Sequence, residues 1–333
     1  MPLLEVQDLS VSFSSADGIV QAVRGISFEV DRGRTLGIVG ESGSGKSVAA
    51  QTILGLTEGA RVSGHVFFEG RDLLGLSAEQ LRHVRGAEVA LIFQDPLSSL
   101  HPLYRVGWQI VEAIRAHEQI SKHDARQKAI ELLRRVGIPQ PESRVDAYPH
   151  QFSGGMRQRA LIAMALALNP KLLIADEPTT ALDVTVQAQI VELMRTLQAE
   201  FDTAIIAITH DLGVLADLAD DVLVMYAGRV MEHGDRRTLY GQPHHPYTKG
   251  LIEALPSQSG AKDRLVAIPG RPPSLVHPPA ACPFHPRCRH VMDRCRSETP
   301  PLREVVGGQG HISACWLPTD RVGLDAEPAR TAS

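Results

Sequence analysis

Positions 40–47 read Gly-Glu-Ser-Gly-Ser-Gly-Lys-Ser, a segment with the residue types and spacing of a phosphate-binding loop. Glycines let backbone N–H groups turn onto phosphate oxygens, and a helix start adds positive potential. Lys46 is placed to reach the β- and γ-phosphates of a nucleotide, and Ser47 is placed to bind Mg²⁺. Backbone contacts to the phosphates are assigned to Gly40, Ser42, Gly43 and Gly45. Because an apolar run precedes the segment, we favour this interpretation over a surface loop rich in Gly and Ser.

A second group that can do chemistry is the pair Asp176 and Glu177, which ends the apolar run at 172–175. Asp176 is placed to hold Mg²⁺ through water, and Glu177 is placed to orient or deprotonate an attacking water. An ordinary polar strand end would look the same in isolation. The phosphate-binding pattern upstream favours the catalytic interpretation.

Two further polar residues follow apolar runs in a comparable way. Gln94 follows the run that ends at Phe93, where its amide is placed to contact Mg²⁺ and the attacking water. His210 follows the run at 204–209, and its imidazole is placed to hydrogen-bond a γ-phosphate. Taken alone, either residue is better explained as a capping glutamine or a structural histidine.

The most discriminating segment is Phe-Ser-Gly-Gly-Met-Arg-Gln-Arg at positions 152–159. Ser153 is a good N-cap for an apolar helix that runs to Leu168. Many nucleotide-binding proteins combine a phosphate-binding loop with an acidic strand end, but few place a Ser-Gly-Gly helix start between them. This feature narrows the interpretation to one type of ATP-driven protein.

The composition sets the class of protein. The 333 residues suffice for one large domain with an appendage, or for two domains. The hydrophobic fraction of 43% is ordinary for a soluble protein, and the net charge of −4 does not indicate a nucleic-acid partner. The longest apolar run, at 160–168, is too short to span a bilayer, and the N-terminus lacks a secretion-signal pattern. We therefore expect the chain to fold in the cytoplasm, where thiols stay reduced.

Hydrophobic periodicity predicts the elements that position these residues. Alternation in the first thirty residues predicts antiparallel strands with one solvated face. Continuous apolar runs predict buried strands, which lie at 35–39, 89–93, 172–175, 203–208 and 222–225. Patterns that repeat every 3.6 residues predict helices, which lie at 47–56, within 96–149, at 153–168 and at 186–197. One helical pattern places Trp108 on the same face as Ile110, Val111 and Ile114. The alternation predicts an α/β fold whose parallel sheet is covered on both faces.

The composition changes after about Tyr247, where prolines become frequent. All the cysteines follow this point, at Cys282, Cys288, Cys295 and Cys315. Four thiols in one segment of a reducing compartment favour a metal or cluster site over disulfides. Paired Cys-x-x-Cys knuckles, the usual zinc spacing, are absent, and prolines lie beside Cys282 and Cys288, which suits a loop around a [4Fe–4S] cluster. Zn²⁺ and free thiols or disulfides are the alternatives. A structural role is expected, since the segment has little apolar material for a core.

Together these motifs resemble the nucleotide-binding subunit of ABC transporters over about residues 1–250. The matching positions are 40–47 (Walker A), Gln94 (Q-loop), 153–156 (signature), Asp176 and Glu177 (Walker B), 181–183 with Asp183 (D-loop), and His210 (switch). Phe13 matches the position of the aromatic residue that stacks on adenine. The resemblance implies a P-loop NTPase ABC ATPase domain with a RecA-like parallel-sheet core, an antiparallel β subdomain and a helical subdomain at about 96–168. A small Pro/Cys-rich extension would follow at 251–333.

The resemblance also implies a paired arrangement. Two ATPase domains associate head to tail, so that Ser153, Gly154 and Gly155 of one face the γ-phosphate held by the other. ATP would join the domains, and hydrolysis would loosen them. Glu177 is then the catalytic base, with Gln94 and His210 as further catalytic residues.

The branch of the family can be narrowed from segments at 40–44, 93–96, 152–159 and 245–248. They resemble the dipeptide/oligopeptide importer ATPases, a group whose members also carry nickel, glutathione and some sugars. The resemblance implies a peripheral protein at the cytoplasmic face of the membrane, paired with a second ATPase subunit as a heterodimer. Two permease subunits and an extracytoplasmic binding protein would complete the transporter. Residues 96–104 of this chain would lie near the permeases. In some members a similar tail carries an iron–sulfur cluster.

Two other classes of protein fit the sequence less well. A soluble ABC ATPase of DNA repair or translation carries a long coiled-coil insertion or two ATPase modules. Only about 107 residues separate Lys46 from Ser153, which leaves no room for a coiled coil. A small kinase with a phosphate-binding loop does not explain positions 153–158.

Overall fold

The computed structural model describes residues 1–95, 99–180, 182–255, 268–307 and 310–318. The chain divides into two compact units. The first unit comprises Met1–Leu4, Glu29–Thr35 and Phe67–Ile208, and the second comprises Glu5–Phe28, Leu36–Val66 and Thr209–Ser333. Each unit therefore draws on segments that are distant in sequence.

The elements follow the predicted alternation of strands and helices. The strands are β1 (Leu4–Ser15), β2 (Gly18–Val30), β3 (Thr35–Val39), β4 (Arg61–Phe68), β5 (Arg71–Asp72), β6 (Val89–Ile92), β7 (Leu172–Asp176), β8 (Ala204–Thr209), β9 (Asp221–Tyr226), β10 (Arg229–Asp235), β11 (Arg303–Glu304) and β12 (Ile312–Ser313). The α-helices are α1 (Lys46–Ile53), α2 (Ala78–Val84), α3 (Val106–Arg115), α4 (Lys122–Arg135), α5 (Pro141–Arg144), α6 (Gly154–Ala165), α7 (Val184–Phe201), α8 (Leu212–Leu218), α9 (Arg236–Gly241), α10 (Pro246–Glu253) and α11 (Asp293–Ser297). All the predicted buried strands are found, with ends that differ by one residue at most. Among the described residues, no helix is both long and apolar enough to cross a membrane.

The first unit contains a parallel sheet in which β7 lies between β6 and β8. Ile92 pairs with Ala175, and Asp176 pairs with Ile208, so the carboxyl ends of the strands are aligned. Every residue of β7 and β8 is buried. This is the burial expected when helices cover both faces of a parallel sheet, as the apolar runs predict.

Helices α3, α4 and α6 of the first unit pack on one another. The buried face of α3 includes Ile110, Val111 and Ile114, but Trp108, which we predicted on the same face, is 40% exposed. At 100° per residue, Trp108 lies about 120° from the centre of the buried face, so the prediction was wrong. Its ring instead stacks on Tyr104, with the ring centroids 4.3 Å apart.

The second unit also combines parallel and antiparallel pairing. β3 is parallel to β9, β10 is antiparallel to β9, and β12 joins β10 to β11. β1 lies between β2 and β4, and only two residues connect β1 to β2. So short a connection requires an antiparallel hairpin, as the alternation in the first thirty residues predicts.

A buried carboxylate joins three segments of the second unit. Glu232 on β10 has no exposed surface. It accepts hydrogen bonds from the backbone N–H groups of His244 at 2.6 Å and His245 at 3.1 Å, and from Nε2 of His311 at 2.7 Å. A charged group costs a great deal to bury unless it is paired in this way. Glu232 therefore ties the start of α10 and the segment before β12 to β10.

Aromatic side chains form a further contact of the C-terminal segment within the second unit. Tyr226 at the end of β9, Tyr247 on α10 and Phe284 have ring centroids 4.7 to 5.4 Å apart. His245, the N-cap of α10, accepts from the N–H of Tyr247 at 3.0 Å, and burial lowers the pKa of His245 to about 4. The ring is therefore neutral at physiological pH, as this acceptor role requires.

Replacing Glu232 tests how much this network stabilises the second unit. In Glu232→Gln, an amide N–H₂ replaces an oxygen that faces N–H donors, so we expect a loss of about 2 kcal/mol in the free energy of unfolding. Glu304→Gln, an exposed change on β11, is the control and should alter stability by less than about 0.5 kcal/mol. Urea unfolding followed by tryptophan fluorescence measures both. Equal stability of Glu232→Gln and the unchanged protein would contradict the assignment.

Candidate nucleotide site

The segment 40–47 connects β3 to α1 in the second unit, as the sequence predicts. Its backbone needs glycine at specific positions. Gly43 and Gly45 have φ angles of 78° and 99°. A Cβ at Gly45 would lie 2.2 Å from the carbonyl oxygen of Ala22, and a Cβ at Gly40 would lie 2.2 Å from that of Met225. Neighbouring backbone therefore leaves no room for a side chain at positions 40 and 45.

Lys46 is held by the backbone of the same segment. Its Nζ donates to the carbonyl oxygens of Gly40 at 2.7 Å and Glu41 at 3.0 Å, and lies 3.3 Å from Oγ of Ser44. The side chain is buried. Helix α1, which is described in full, has no acidic residue in its first turn and no side-chain cap. An ammonium group beside an uncapped helix start is a site for an anion such as phosphate.

Glu41 is contacted from outside the segment. Its N–H donates to Oη of Tyr247 at 2.9 Å, and its carboxylate accepts from both terminal nitrogens of Arg287 at 2.6 and 2.9 Å. Sequence reasoning did not identify Arg287 or Tyr247 as site residues. Tyr247 lies in the 245–248 segment that carries the family resemblance, whereas no local pattern marks Arg287.

Two other predicted residues lie in the second unit. Phe13 is half-buried on β1, and His210 is exposed and directly follows β8. These placements agree with the predicted ends of the elements. The predicted roles, adenine stacking and contact with a γ-phosphate, stay predictions.

The first unit brings Gln94 and Glu177 together. Nε2 of Gln94 donates to Oε2 of Glu177 at 2.8 Å, and Oγ1 of Thr180 donates to the same oxygen at 2.8 Å. Gln94 follows β6 and Glu177 follows β7, so the aligned ends of neighbouring parallel strands explain the contact. Thr180 was not predicted; its only signal is a hydroxyl three residues after Glu177.

Backbone geometry also singles out Glu177. Its φ angle is 49°, an uncommon value for a residue with a side chain, and its N–H donates to the carbonyl oxygen of Ile208 at 2.8 Å. Asp176, immediately before it, is buried at the end of β7. Such strain is retained where the surrounding structure fixes a functional side chain.

Ser153 is the N-cap of α6, as predicted, and its Oγ accepts from the N–H of Met156 at 3.3 Å. Ser153 and Gly154 are exposed, and α6, which is described in full, has no acidic residue in its first turn. A Cβ at Gly155 would lie 2.8 Å from Cγ1 of Val186 on α7. A side chain at 155 would therefore require Val186 to shift. The exposed helix start can accept an anion.

Asp183 of the predicted D-loop is the N-cap of α7. Its Oδ1 accepts from the N–H of Val186 at 2.9 Å. Val186 is also the residue that approaches Gly155, so the starts of α6 and α7 share a contact. Ala181 of the same motif lies outside the described residues.

All four cysteines line one small cavity in the second unit, together with Phe284, His285 and Trp316. They are free thiols. Burial raises the pKa of Cys288 to about 11, and burial with the neighbouring thiols raises that of Cys315 to about 12. Within the described ranges, no group of three or more His, Cys, Asp or Glu side chains is arranged to hold a single metal ion. The four predicted ligands therefore lie together, but among the described residues they do not form a ready-made site for a single metal ion.

Comparison with known proteins agrees with these motifs. The family described as ABC transporter matches residues 23–180, and the family described as oligopeptide/dipeptide transporter, C-terminal region, matches residues 231–295. The oligopeptide transport ATP-binding protein OppD of Bacillus subtilis is 53% identical over 95% of this chain and 88% of its own length. The dipeptide transport ATP-binding protein DppD of Escherichia coli is 50% identical over 97% of this chain and 99% of its own length.

A solved structure shows the same fold. An ATP-binding cassette determined as a dimer in a post-hydrolysis state, bound to ADP and Pi, superposes with a TM-score of 0.63 at 26% identity. The match covers 70% of this chain and 99% of that one. The expected P-loop ABC ATPase fold is thereby confirmed. The chain belongs to the ATP-binding subunits of ABC transporters, in the oligopeptide/dipeptide transporter family.

Proposed function

We propose that this chain binds and hydrolyses ATP to power the uptake of dipeptides and oligopeptides through membrane permease subunits. The observation that carries the proposal is 50% or greater identity, over nearly the whole chain, to proteins named for oligopeptide and dipeptide transport. Nickel, glutathione or a sugar is the alternative cargo for the same machinery. A soluble ABC ATPase is the less favoured class, since the C-terminal transporter region is present at residues 231–295.

In the first unit, Glu177 serves as the general base that takes a proton from the attacking water. Its contacts with Gln94 and Thr180, both at 2.8 Å, fix the direction of the carboxylate. Proton transfer requires such fixed geometry within hydrogen-bond reach of the water. Gln94 uses its amide nitrogen in this contact, and we assign its amide oxygen, with Asp176, to Mg²⁺.

In the second unit, Lys46 and the backbone of 40–47 bind the phosphates, and Ser47 binds Mg²⁺. When bound, Mg²⁺ neutralises charge on the β- and γ-phosphates. Phe13 stacks on adenine, and His210 contacts the γ-phosphate.

The start of α6 acts on a different ATP molecule, the one held by a second ATPase subunit. Ser153, Gly154 and Gly155 present N–H groups at an exposed helix start, which favours a γ-phosphate supplied from outside the chain. Asp183, at the neighbouring start of α7, belongs to the same surface. The partner is a second ATPase subunit in a heterodimer, so each interface site combines residues of two chains.

Exposed apolar side chains support contact with the permeases. Leu103 is 77% exposed, Tyr104 46% and Trp108 40%, and the rings of Tyr104 and Trp108 stack. Grouped apolar side chains at the surface mark interaction sites. Residues 96–98 of the predicted contact stretch lie outside the described residues. Docking here places the chain peripherally at the cytoplasmic face of the membrane, opposite the extracytoplasmic binding protein that delivers the substrate.

The chain is proposed to divide functionally at about residue 250. Residues 1–250 form the ATPase domain, with the helical subdomain at about 96–168, and residues 251–333 form the extension. Separate family matches at 23–180 and 231–295 support two functional parts, the second match beginning before residue 250.

We assign a [4Fe–4S] cluster to Cys282, Cys288, Cys295 and Cys315. Support comes from their position around one cavity as free thiols. Four cysteine thiolates are the usual ligands of a [4Fe–4S] cluster. The cavity is small, so the cysteine side chains must turn outward when a cluster binds. The role is structural, because cross-linking four points stabilises a Pro-rich segment.

Changing Glu177→Gln tests the base assignment. The variant should bind ATP with unchanged affinity and lose at least about a hundredfold in kcat, because an amide cannot accept the proton. The measurements are ATP binding to the full chain, and ATP hydrolysis and uptake of labelled dipeptides by the transporter reconstituted in vesicles. Glu192→Gln, on the exposed face of α7, is the matched control and should hydrolyse ATP normally.

Two results would contradict the proposal. Normal hydrolysis by the Glu177→Gln variant would rule out the base assignment. Uptake of nickel, glutathione or a sugar, with no uptake of peptides, would replace the proposed cargo while leaving the ATPase assignment intact.

Metal analysis tests the cluster assignment. Chain purified without air should contain about four iron atoms and about four acid-labile sulfides, with a broad visible absorption. Cys288→Ser should lower the iron content, whereas His285→Asn, a change to another residue that lines the cavity, should retain it. A colourless protein without iron would rule out the cluster, and one equivalent of zinc would favour the alternative metal.

A further inference from the structure

A side chain of the C-terminal segment reaches the phosphate-binding segment within the second unit. Arg287 ends the 3₁₀ turn His285–Arg287, and its side chain is 4% exposed. Its two terminal nitrogens donate to the two carboxylate oxygens of Glu41 at 2.6 and 2.9 Å. Bidentate pairs of this kind are stronger and more directional than a single neutral hydrogen bond.

Other contacts hold the guanidinium group of Arg287 in place. Nη1 donates to Oη of Tyr226 at 3.1 Å, Nε donates to the carbonyl oxygen of Pro269 at 2.8 Å, and Nη2 donates to that of Ile268 at 3.3 Å. The guanidinium also lies over the ring of Tyr226, 5.7 Å from its centroid. The guanidinium group of Arg287 is therefore held in a fixed position, from which it binds the carboxylate of Glu41.

Glu41 in turn is fixed through its main chain. Its N–H donates to Oη of Tyr247 at 2.9 Å, and its carbonyl oxygen accepts from the N–H of Ser44 at 3.1 Å and from Nζ of Lys46 at 3.0 Å. Side chain, N–H and carbonyl of Glu41 are all engaged. The orientation of the first peptides of the segment is thus determined from the C-terminal side of the chain.

Fixing these peptides matters because the segment is rich in glycine. Gly43 and Gly45 allow many backbone conformations, and only some direct the N–H groups towards a phosphate. Ordering a flexible segment upon binding costs free energy, so a contact that orders it beforehand increases affinity. The contact of Arg287 with Glu41 restrains the start of the segment 40–47, next to the carbonyl oxygens of Gly40 and Glu41 to which Lys46 donates.

We propose that Arg287 is a positioning residue for nucleotide binding, which acts by holding Glu41 and thereby the segment 40–47. The proposal rests on the proposed ATP site in that segment. It gives the C-terminal region a function in nucleotide affinity in addition to any role of the cysteines.

The test compares Arg287→Met with Arg289→Met in the full chain. Arg289 lies two residues away, is 55% exposed and pairs with Glu253 at 2.7 Å, so its replacement removes an arginine without touching Glu41. Titration with a fluorescent ATP analogue should show about tenfold weaker binding for Arg287→Met, and unchanged binding for Arg289→Met. In the assembled transporter, the KM for ATP should rise with kcat changed by less than about twofold, because the acid–base residues are untouched.

Two further variants separate positioning from general destabilisation. Arg287→Lys keeps the charge but loses the bidentate geometry, so it should recover part of the affinity. Glu41→Gln should weaken binding without altering the C-terminal turn, and the double variant with Arg287→Met should bind no more weakly than Arg287→Met alone. Glu41→Gln also keeps the test informative if Arg287→Met does not fold.

The outcomes distinguish this inference from the proposed function. If the unchanged chain does not bind the analogue, the proposed ATP site fails and this inference fails with it. If the unchanged chain binds the analogue, and Arg287→Met and Glu41→Gln both bind it as tightly as the unchanged chain does, the ATP site stands and the positioning role is overturned. Additive losses in the double variant would also overturn it.

Discussion

The contact between Lys46 and the carbonyl oxygens of its own loop is the interaction on which the nucleotide site depends. Nζ lies 2.7 Å from the oxygen of Gly40 and 3.0 Å from that of Glu41, so the cation is satisfied before any phosphate arrives. To bind Lys46, a phosphate must compete with these carbonyl oxygens. Its negative charge favours it, because the ammonium group lies beside a helix start that has no side-chain cap. The backbone near Gly40 and Gly45 leaves no space for side chains at those positions.

The acidic end of β7 obeys a complementary constraint. A general base needs a fixed orientation, and here the alignment of two strands provides it. Because β6 and β7 end together, Gln94 can donate a hydrogen bond to Glu177. The φ angle of 49° at Glu177 turns its side chain away from the direction that regular strand geometry would give. The second unit thus provides electrostatic attraction for an anion, while the first provides a directed carboxylate.

Local sequence patterns predicted the parts of this arrangement that depend on neighbours in the chain. The buried strands, the N-cap at Ser153 and the acidic strand end follow from periodicity and residue type. The Gln94–Glu177 contact was not predicted; it depends on the alignment of neighbouring parallel strands, which neither residue's local sequence specifies. In contrast, Arg287 and Glu41 are 246 residues apart, and nothing in their local sequence pairs them. Trp108 was misplaced because the helical face was judged from apolar character, which does not distinguish a buried tryptophan from one that stacks at the surface.

The structure of the full chain with MgATP or a non-hydrolysable analogue tests the central claim most directly. We expect Nζ of Lys46 to leave the carbonyl oxygens of Gly40 and Glu41 and to bind the phosphates, while the N–H groups of 43–47 also contact them. The bidentate contact between Arg287 and Glu41 should persist. A nucleotide bound elsewhere, with Lys46 still on its carbonyl oxygens, would contradict the account.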